Sequence, residues 1–574
     1  MNPEEMTAAL NAMLEQGNQL RASKLVPVLT NVTGKFNVLE NTLGISLDPD
    51  YDPRQNQPLT FKAGSSAVTL QFMLSSGEAL SIEYSTDGGV SWTPKSFAAS
   101  DSSITIYPNM SVSLRGDNAR YSVTSYPSYA KGCYFKVDNP CAVFGNIMSL
   151  VDSKLYPLKN TVSPGAFAYL FSEFKFIQDT QNQLLLPATI LAKSCYSNMF
   201  YRCTGLATAP ELPATTLADY CYSSMFSDCA DLTTAPELPA TALAGSCYYS
   251  MFKGCTGLTT ALRLPATTLA TYCYSNMFDG CTGLTTAPEL PATTLANYCY
   301  NYMFNGCTGL TTAPELPATT LANQCYSYMF YGCTGLTTAP ELPATTLANN
   351  CYNGMFRDCT SLTTAPELPA TTLADYCYME MFNGCTSLTV APELPATTLA
   401  QICYSSMFAK CTSLTVAPEL PATTLTGSCY SSMFDRCTSL TTAPELPATT
   451  LVDYCYSNMF NGCTSLTTAP ELPATTLAND CYNNMFKGCT GLTTAPELPA
   501  TTLASYCYNS MFEGCTSLSY IKAMFTTTPG NSYTANWVKN VKDTGTFVKN
   551  STATWDVSGN AGVPTGWTVE TASN

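Results

Sequence analysis

The apolar residues of the first 47 positions recur every three or four residues, which is the spacing of an amphipathic helix. The pattern predicts two helices whose apolar stripes have no core of their own to cover them. We expect residues 1–47 to be a helical anchor or oligomerisation segment that packs against other chains, or alternatively against the next domain. The stripe residues are Met6, Leu10, Met13 and Leu14, followed by Val28, Val32, Phe36, Leu39 and Leu43.

The pattern changes to strict alternation of apolar and polar residues after a linker at residues 48–58 that is rich in Pro, Asp and Asn. Runs such as AVTLQFML, LSIEYS and SITIY are separated by the turn sequences SSGE, TDGG and PNMS. This alternation predicts an antiparallel β-sandwich over residues 59–137. The segment from Ser85 to Trp92, STDGGVSW, predicts a hairpin within it.

The middle of the chain, residues 185–525, repeats with a strict period of 26 residues. Thirteen units share the consensus L-P-A-T-T-L-A-x-x-C-Y-x-x-M-F-x-G-C-T-x-L-T-T-A-P-E. The Cys-Tyr and Met-Phe pairs occur in every unit, starting at Cys195 and ending with the unit of Cys507. The period predicts a solenoid of thirteen stacked units.

Within a unit, Cys273, Met277 and Cys281 lie at positions i, i+4 and i+8, which predicts the buried stripe of a short helix. A residue suited to an N-cap stands two positions before the first cysteine in nine units, and a glycine precedes the second cysteine in eight. The following L-T-T-A-P-E predicts a very short strand that Pro288 ends. The predicted structural core is Cys273, Tyr274, Met277, Phe278, Cys281 and Leu284.

A unit of one short strand and one short helix cannot bury its apolar face alone, so both ends of the stack need caps. Residues 138–184 are the predicted transition and N-terminal cap, because Phe167, Phe171 and Phe174 copy the spacing of a unit. Residues 526–574 hold three of the four tryptophans and are the predicted C-terminal cap. Stacking of these rings on carbohydrate is the alternative use.

The consensus C-Y-x-x-M-F-x-G-C-T-x-L-T-T-A-P-E-L-P resembles the BspA-like leucine-rich repeats of surface adhesins of gut anaerobes and of proteins of their phages. The resemblance covers about 340 residues. It implies a leucine-rich repeat fold, and the β-sandwich in front of the repeats is similar to the usual arrangement of such surface proteins. The resemblance indicates a binding surface but not a particular ligand.

Composition narrows the function classes. The chain has 25 basic and 41 acidic residues, a net charge of −16 and no histidine. The charge excludes a nucleic-acid-binding surface, and the absence of histidine removes Ser-His and Cys-His couples and imidazole metal ligands. At the A-P-E position a single glutamate recurs in eleven of the thirteen units, as at Glu289 and Glu315. We therefore expect no enzymatic activity, no metal, no cofactor and no membrane-spanning segment.

The repeats contain 26 of the 28 cysteines. In a helix, residues eight apart are separated by about 12 Å of rise, which is too far for a disulfide within one unit. Small buried thiols arranged as two ladders are the main interpretation. Bridges between neighbouring units stay open as the alternative.

The position before the first cysteine varies while the core positions hardly change. Tyrosine with small polar neighbours is typical of binding surfaces, although neutral variation on a solvated edge is the alternative. The candidate ligand-binding residues are Tyr220, Tyr272, Tyr298, Tyr376, Tyr454 and Tyr506.

The chain begins MNPEEMTAALNAMLEQGNQ, without the pattern of a secretory signal. We expect a phage virion protein, a tail or head fibre assembled in the host cytoplasm and displayed on the virion surface. Its partners would be other virion proteins, through residues 1–47, and a glycan or protein of the bacterial surface, with a homo-oligomer as the expected state. The alternative is a bacterial cell-surface adhesin that lacks its signal peptide here.

Overall fold

The computed structural model describes residues 53–73, 80–97, 103–121, 133–177, 182–260 and 262–572. The expected helical anchor, residues 1–47, lies outside the described residues and stays a prediction. The described residues form two compact units. The first ends at Ala266 and also includes Cys281–Leu284, and the second consists of Thr267–Gly280 and the chain from Thr285 onward.

The described strands of the first compact unit are β1 (Leu59–Ala63), β2 (Val68–Met73), β3 (Leu80–Ser85), β4 (Thr93–Phe97), β5 (Ser103–Ile106), β6 (Ser111–Arg115), β7 (Tyr134–Val137), β8 (Cys141–Asn146) and β9 (Leu184–Leu185). They form two sheets, a six-stranded one of order β4-β3-β6-β1-β8-β9 and a three-stranded one of order β5-β2-β7. Among these described strands, the pairing is antiparallel except for the short β8–β9 pair, which is parallel. The predicted hairpin at Ser85–Trp92 joins β3 to β4.

Rings from the two sheets pack against each other. The Phe61 ring of β1 lies 5.0 Å from the Phe135 ring of β7, and the Phe72 ring of β2 lies 5.4 Å from the Phe97 ring of β4. Alternation along the strands places these side chains inward, as in β2, where every second residue is buried. The larger sheet continues past Val137, because β8 pairs antiparallel with β1.

The repeat units contain no α-helix; none occurs among the described residues, and the expectation of a short helix per unit is wrong. Each unit instead folds into consecutive tight turns. In the unit of Cys351, alternate N–H groups bond three residues back, as Cys351 does to the Ala348 carbonyl at 3.2 Å. The N–H groups between them bond to the next unit, as Tyr352 does to the Cys377 carbonyl at 3.0 Å.

The i, i+4, i+8 spacing suggested a helix because a four-residue turn step and a 3.6-residue helix place the same residues on one side. The adjacent pairs distinguish the two structures. Both Cys351 and Tyr352 are buried, as are both Met355 and Phe356, whereas neighbours on a helix diverge by about 100°. A helix would also use its N–H groups internally, whereas here every second one ties a unit to its neighbour.

The turns need a left-handed residue at every fourth position. Three such columns run through the repeats, and all thirteen units have positive φ in each: 52° to 60° before the first cysteine, 51° to 58° before the methionine, and 57° to 79° before the second cysteine. The predicted C-cap glycines occupy the third column. Predicted N-cap residues bond across units instead: the Asp375 carboxylate accepts the Gln401 N–H at 3.0 Å.

The expected strand of each unit is also shorter than predicted. In the second compact unit, except in the last repeat, where Tyr520–Ala523 form a strand, it is reduced to single parallel bridges between equivalent residues, such as Thr286 with Thr312 and Thr312 with Thr338. Leu284 and its equivalents are buried before the bridge, and Pro288 follows it. A proline, which has no N–H to donate, accounts for a bridge that does not extend.

The core of the repeats consists of stacked columns of identical side chains. In the second compact unit, the tyrosines that follow the first cysteine of each repeat, from Tyr274 to Tyr508, stack in succession with ring centroids 5.7 to 6.0 Å apart. The phenylalanines from Phe278 to Phe512 stack at 5.6 to 5.8 Å. The six predicted core residues, Cys273, Tyr274, Met277, Phe278, Cys281 and Leu284, are all buried.

Degenerate units stand at both ends of the repeats. At the N-terminal end, the Phe167 N–H bonds to the Cys195 carbonyl at 2.8 Å, and Tyr169 has the left-handed φ of 62°. At the other end, the Phe512 N–H bonds to the Trp537 carbonyl at 2.8 Å. Trp537 is fully buried. A parallel sheet is formed by β10 (Tyr520–Ala523), which precedes Trp537, and by β11 (Thr546–Lys549) and β12 (Thr568–Thr571), which follow it.

Candidate functional site: the left-handed columns

The six candidate tyrosines all lie in the first left-handed column. Tyr454 and Tyr506 are 48% and 49% exposed, and the other four are half-buried. Since an L-residue other than glycine or asparagine pays about 1 to 2 kcal/mol in this conformation, the column is a strained place for a bulky ring. The fold requires the backbone conformation, but it does not require tyrosine.

Glycine usage separates the columns. In the third column, eight of thirteen residues are glycine, which relieves the strain. The first column contains no glycine in any unit, although every unit holds the same left-handed backbone. A side chain is therefore kept at this position at a cost in stability, and a contribution from the side chain is the simplest reason.

Two of the candidate tyrosines contact each other. The Tyr272 and Tyr298 rings stack with centroids 4.4 Å apart and an angle of 12° between planes. The Gln324 amide of the next unit donates to the Tyr298 hydroxyl at 3.0 Å. Farther along, the Asp480 carboxylate raises the pKa of the Tyr454 hydroxyl by its charge and by a hydrogen bond.

The second left-handed column contains a feature that sequence reasoning missed. Nine units have Ser or Asn there, and four consecutive units depart from this rule: Tyr302, Tyr328, Gly354 and Glu380. Comparing the repeats column by column would have revealed the departure. Three of these residues, Tyr302, Tyr328 and Glu380, form a cluster with two residues that lie one position before the third left-handed column, Tyr331 and Arg357. We call these five residues the tyrosine patch.

The rings and charges of the tyrosine patch touch one another. Tyr302 and Tyr328 stack with centroids 4.8 Å apart, and the Tyr331 ring lies 6.0 Å from Tyr328 at 72°. Arg357 Nη1 lies 2.5 Å from Glu380 Oε2, and its guanidinium lies 5.6 Å from the Tyr331 ring centroid. Burial and the Glu380 charge raise the pKa of Tyr328 to about 12, so its hydroxyl stays protonated at neutral pH.

The cysteines are all buried and all free thiols. The second cysteine of a unit has a defined partner, since the Cys359 thiol donates to the Phe330 carbonyl of the preceding unit at 3.0 Å, and equivalent bonds recur. Burial raises the pKa of Cys333 and Cys351 to about 12. Thiolate chemistry at neutral pH is therefore disfavoured at these positions.

Across the described ranges, the acidic residues and cysteines form no group of three that could hold a metal ion. The part of the chain that the structure describes also has no helix long and apolar enough to cross a membrane.

Stacked 26-residue units with a buried leucine, parallel bridges and variable outer corners define a repeat protein of the leucine-rich class. The chain belongs to the BspA-type leucine-rich repeat family, whose profile matches residues 171–311, 223–363, 271–415 and 403–539. These matches together span more than half of the chain. Comparisons with curated proteins and with solved structures gave no match.

Proposed function

We propose that this protein is a non-enzymatic binding protein whose repeat units contact a bacterial surface. The family match supports a surface adhesion or protein-binding role. The observation that carries the proposal is the first left-handed column, which keeps a side chain in all thirteen units and a tyrosine in six despite the strain. Tyrosine with small polar neighbours is typical of binding surfaces, and here it is retained where the left-handed backbone disfavours a bulky ring.

We further propose that the binding part is displayed on a phage virion, as a tail or head fibre mounted through residues 1–47. The apolar stripes of this segment support a role in contacts with other virion proteins or with copies of this chain. The alternative is a bacterial cell-surface adhesin with the same binding part. The two differ in what the N-terminal segment attaches to.

A truncated chain separates mounting from binding. The structure sets the cut before Pro53, because the 3-10 helix Pro53–Asn56 packs on the six-stranded sheet, where the Asn146 amide of β8 donates to the Gln55 carbonyl at 3.1 Å. A chain starting at Asp52 should bind the same intact bacteria as the full chain and should fail to join phage particles. Residues 1–51 fused to an unrelated protein should join them.

Three results bear against parts of the proposal. Incorporation of the truncated chain into particles would refute the mounting role of residues 1–47. Recovery of the full chain from the envelope of bacteria free of phage would favour the adhesin. Failure of the full chain to bind any bacterium in a broad panel of strains would overturn the binding function itself.

A further inference from the structure

The tyrosine patch differs from the rest of the second left-handed column in a way that the fold does not demand. Units on both sides fill this column with serine or asparagine, as at Asn276 and Ser406, and adopt the same backbone. Aromatic and charged residues in consecutive units thus change the surface and leave the scaffold unaltered.

The missing side chain at Gly354 gives the patch its shape. A Cβ atom placed on Gly354 would lie 2.3 Å from the Tyr328 ring, so this ring occupies the space that other units fill with a side chain. The Tyr328 hydroxyl thereby reaches across one unit to within 3.5 Å of the Glu380 carboxylate, two units away. Tyr331, at 72° to Tyr328, adds a second ring direction, and the two rings form a corner.

We infer that the tyrosine patch is a binding site for a neutral saccharide, an inference that rests on the proposed binding function and specifies its ligand class. Sugar hydroxyls both donate and accept, so they match the Glu380 carboxylate and the Arg357 guanidinium beside the rings. The corner of two rings offers apolar surface to the C–H groups of a pyranose. A peptide ligand would use the same rings but has fewer hydroxyl donors to offer.

The charge around the patch favours a neutral over an acidic sugar. Glu380 and Asp358 lie beside the Arg357 guanidinium, the Asp279 charge acts on Tyr302, and the whole chain has a net charge of −16. A carboxylated sugar such as sialic acid would meet this negative field and lose affinity.

Two substitutions remove the site with residues that the column already uses. Gly354→Ser introduces the Cβ that displaces the Tyr328 ring and keeps every residue of the patch, and serine adopts this conformation at Ser406 with φ of 55°. Glu380→Ser removes the carboxylate. Asn458→Ser, in the same column outside the patch, is the matched control.

The full-length protein and the three variants would be applied to an array of immobilised oligosaccharides built from hexoses and N-acetylhexosamines, with sialylated versions for comparison. We expect the wild type and Asn458→Ser to bind neutral oligosaccharides, and Gly354→Ser and Glu380→Ser to lose at least tenfold in affinity with unchanged thermal midpoints.

Absence of binding to any neutral oligosaccharide, preference for the sialylated ones, or equal binding by all four proteins would overturn the inference. Binding to bacteria that protease treatment of the cells abolishes and Gly354→Ser weakens would assign the patch to a protein ligand instead. If the full chain binds bacteria and no saccharide, the inference fails while the proposed function stands.

Discussion

Individual side chains in the repeats serve either the stack or the surface, and neighbouring residues of one turn differ in which they serve. Phe356 is fully buried between the Phe330 and Phe382 rings, at 5.6 and 5.7 Å. Two positions earlier, Gly354 belongs to a corner whose occupant changes from unit to unit. Mutational effects should therefore alternate sharply along a single turn.

Phe356→Ala should lower the free energy of unfolding by about 3 to 5 kcal/mol, because it leaves a cavity within the aromatic column. Urea or thermal unfolding would measure the loss. Ser275 cannot serve as an exposed control, because it is 1% exposed and accepts a hydrogen bond from the Asn276 amide at 2.9 Å. Thr371→Ala, at an exposed position, should have almost no effect, and equal effects of both changes would refute the assignment of faces.

At the scale of the element, the sequence identified the repeat period, the unit boundaries and the buried residues, including Cys273 and Phe278. It could not identify the turn, because the i, i+4, i+8 spacing alone fits a helix equally well and the linking hydrogen bonds join residues 25 positions apart. The sequence showed that the residue before the first cysteine varies. It did not show that this residue has a left-handed backbone, because that conformation belongs to the turn. Tyr328 and Glu380 were missed because their contact spans two units.

Ile402 tests the strain directly. It is a β-branched residue at φ of 57°, a conformation that such residues rarely adopt. Ile402→Asn should raise the free energy of unfolding by about 1 kcal/mol, because asparagine tolerates the left-handed region, as Asn350 does at φ of 56°. Val416→Asn, at an exposed bridge residue with ordinary φ, should give no such gain in a thermal melt. A loss of stability at Ile402 would show that its side chain contributes more than the strain costs.

At the scale of the whole molecule, the buried thiols predict how the protein responds to reagents. All 28 cysteines are buried, so the folded protein should resist a thiol-labelling reagent and take up close to one label per cysteine after denaturation. Reductant should leave the thermal midpoint unchanged. A large loss of stability on reduction would reveal bridges between units.

The thiols also predict loss of stability in alkali. The pKa of Cys299, Cys333 and Cys351 is raised to about 12 by burial, from about 9 in the unfolded chain. Between these values the unfolded chain releases protons that the folded chain keeps, so stability is complete below about pH 9 and falls as pH rises toward 12. Each thiol contributes up to about 1.4 kcal/mol per pH unit.

Thermal midpoints at pH 7, 8.5 and 10 would show this fall. A double variant, Cys333→Ala with Cys351→Ala, should have a lower midpoint at pH 7 but a shallower decline toward pH 10. A thermal midpoint of the wild-type protein that does not fall between pH 8.5 and 10 would contradict the predicted effect of the buried thiols on stability.

We propose that tyrosines in the first left-handed column contact the bacterial surface. Replacing all six, Tyr220, Tyr272, Tyr298, Tyr376, Tyr454 and Tyr506, by asparagine keeps a residue that this column already holds at Asn350. The decisive measurement is the binding of the full-length variant to intact bacteria that the wild-type protein binds. We predict a folded variant whose cell binding falls at least tenfold, and undiminished binding would contradict the account.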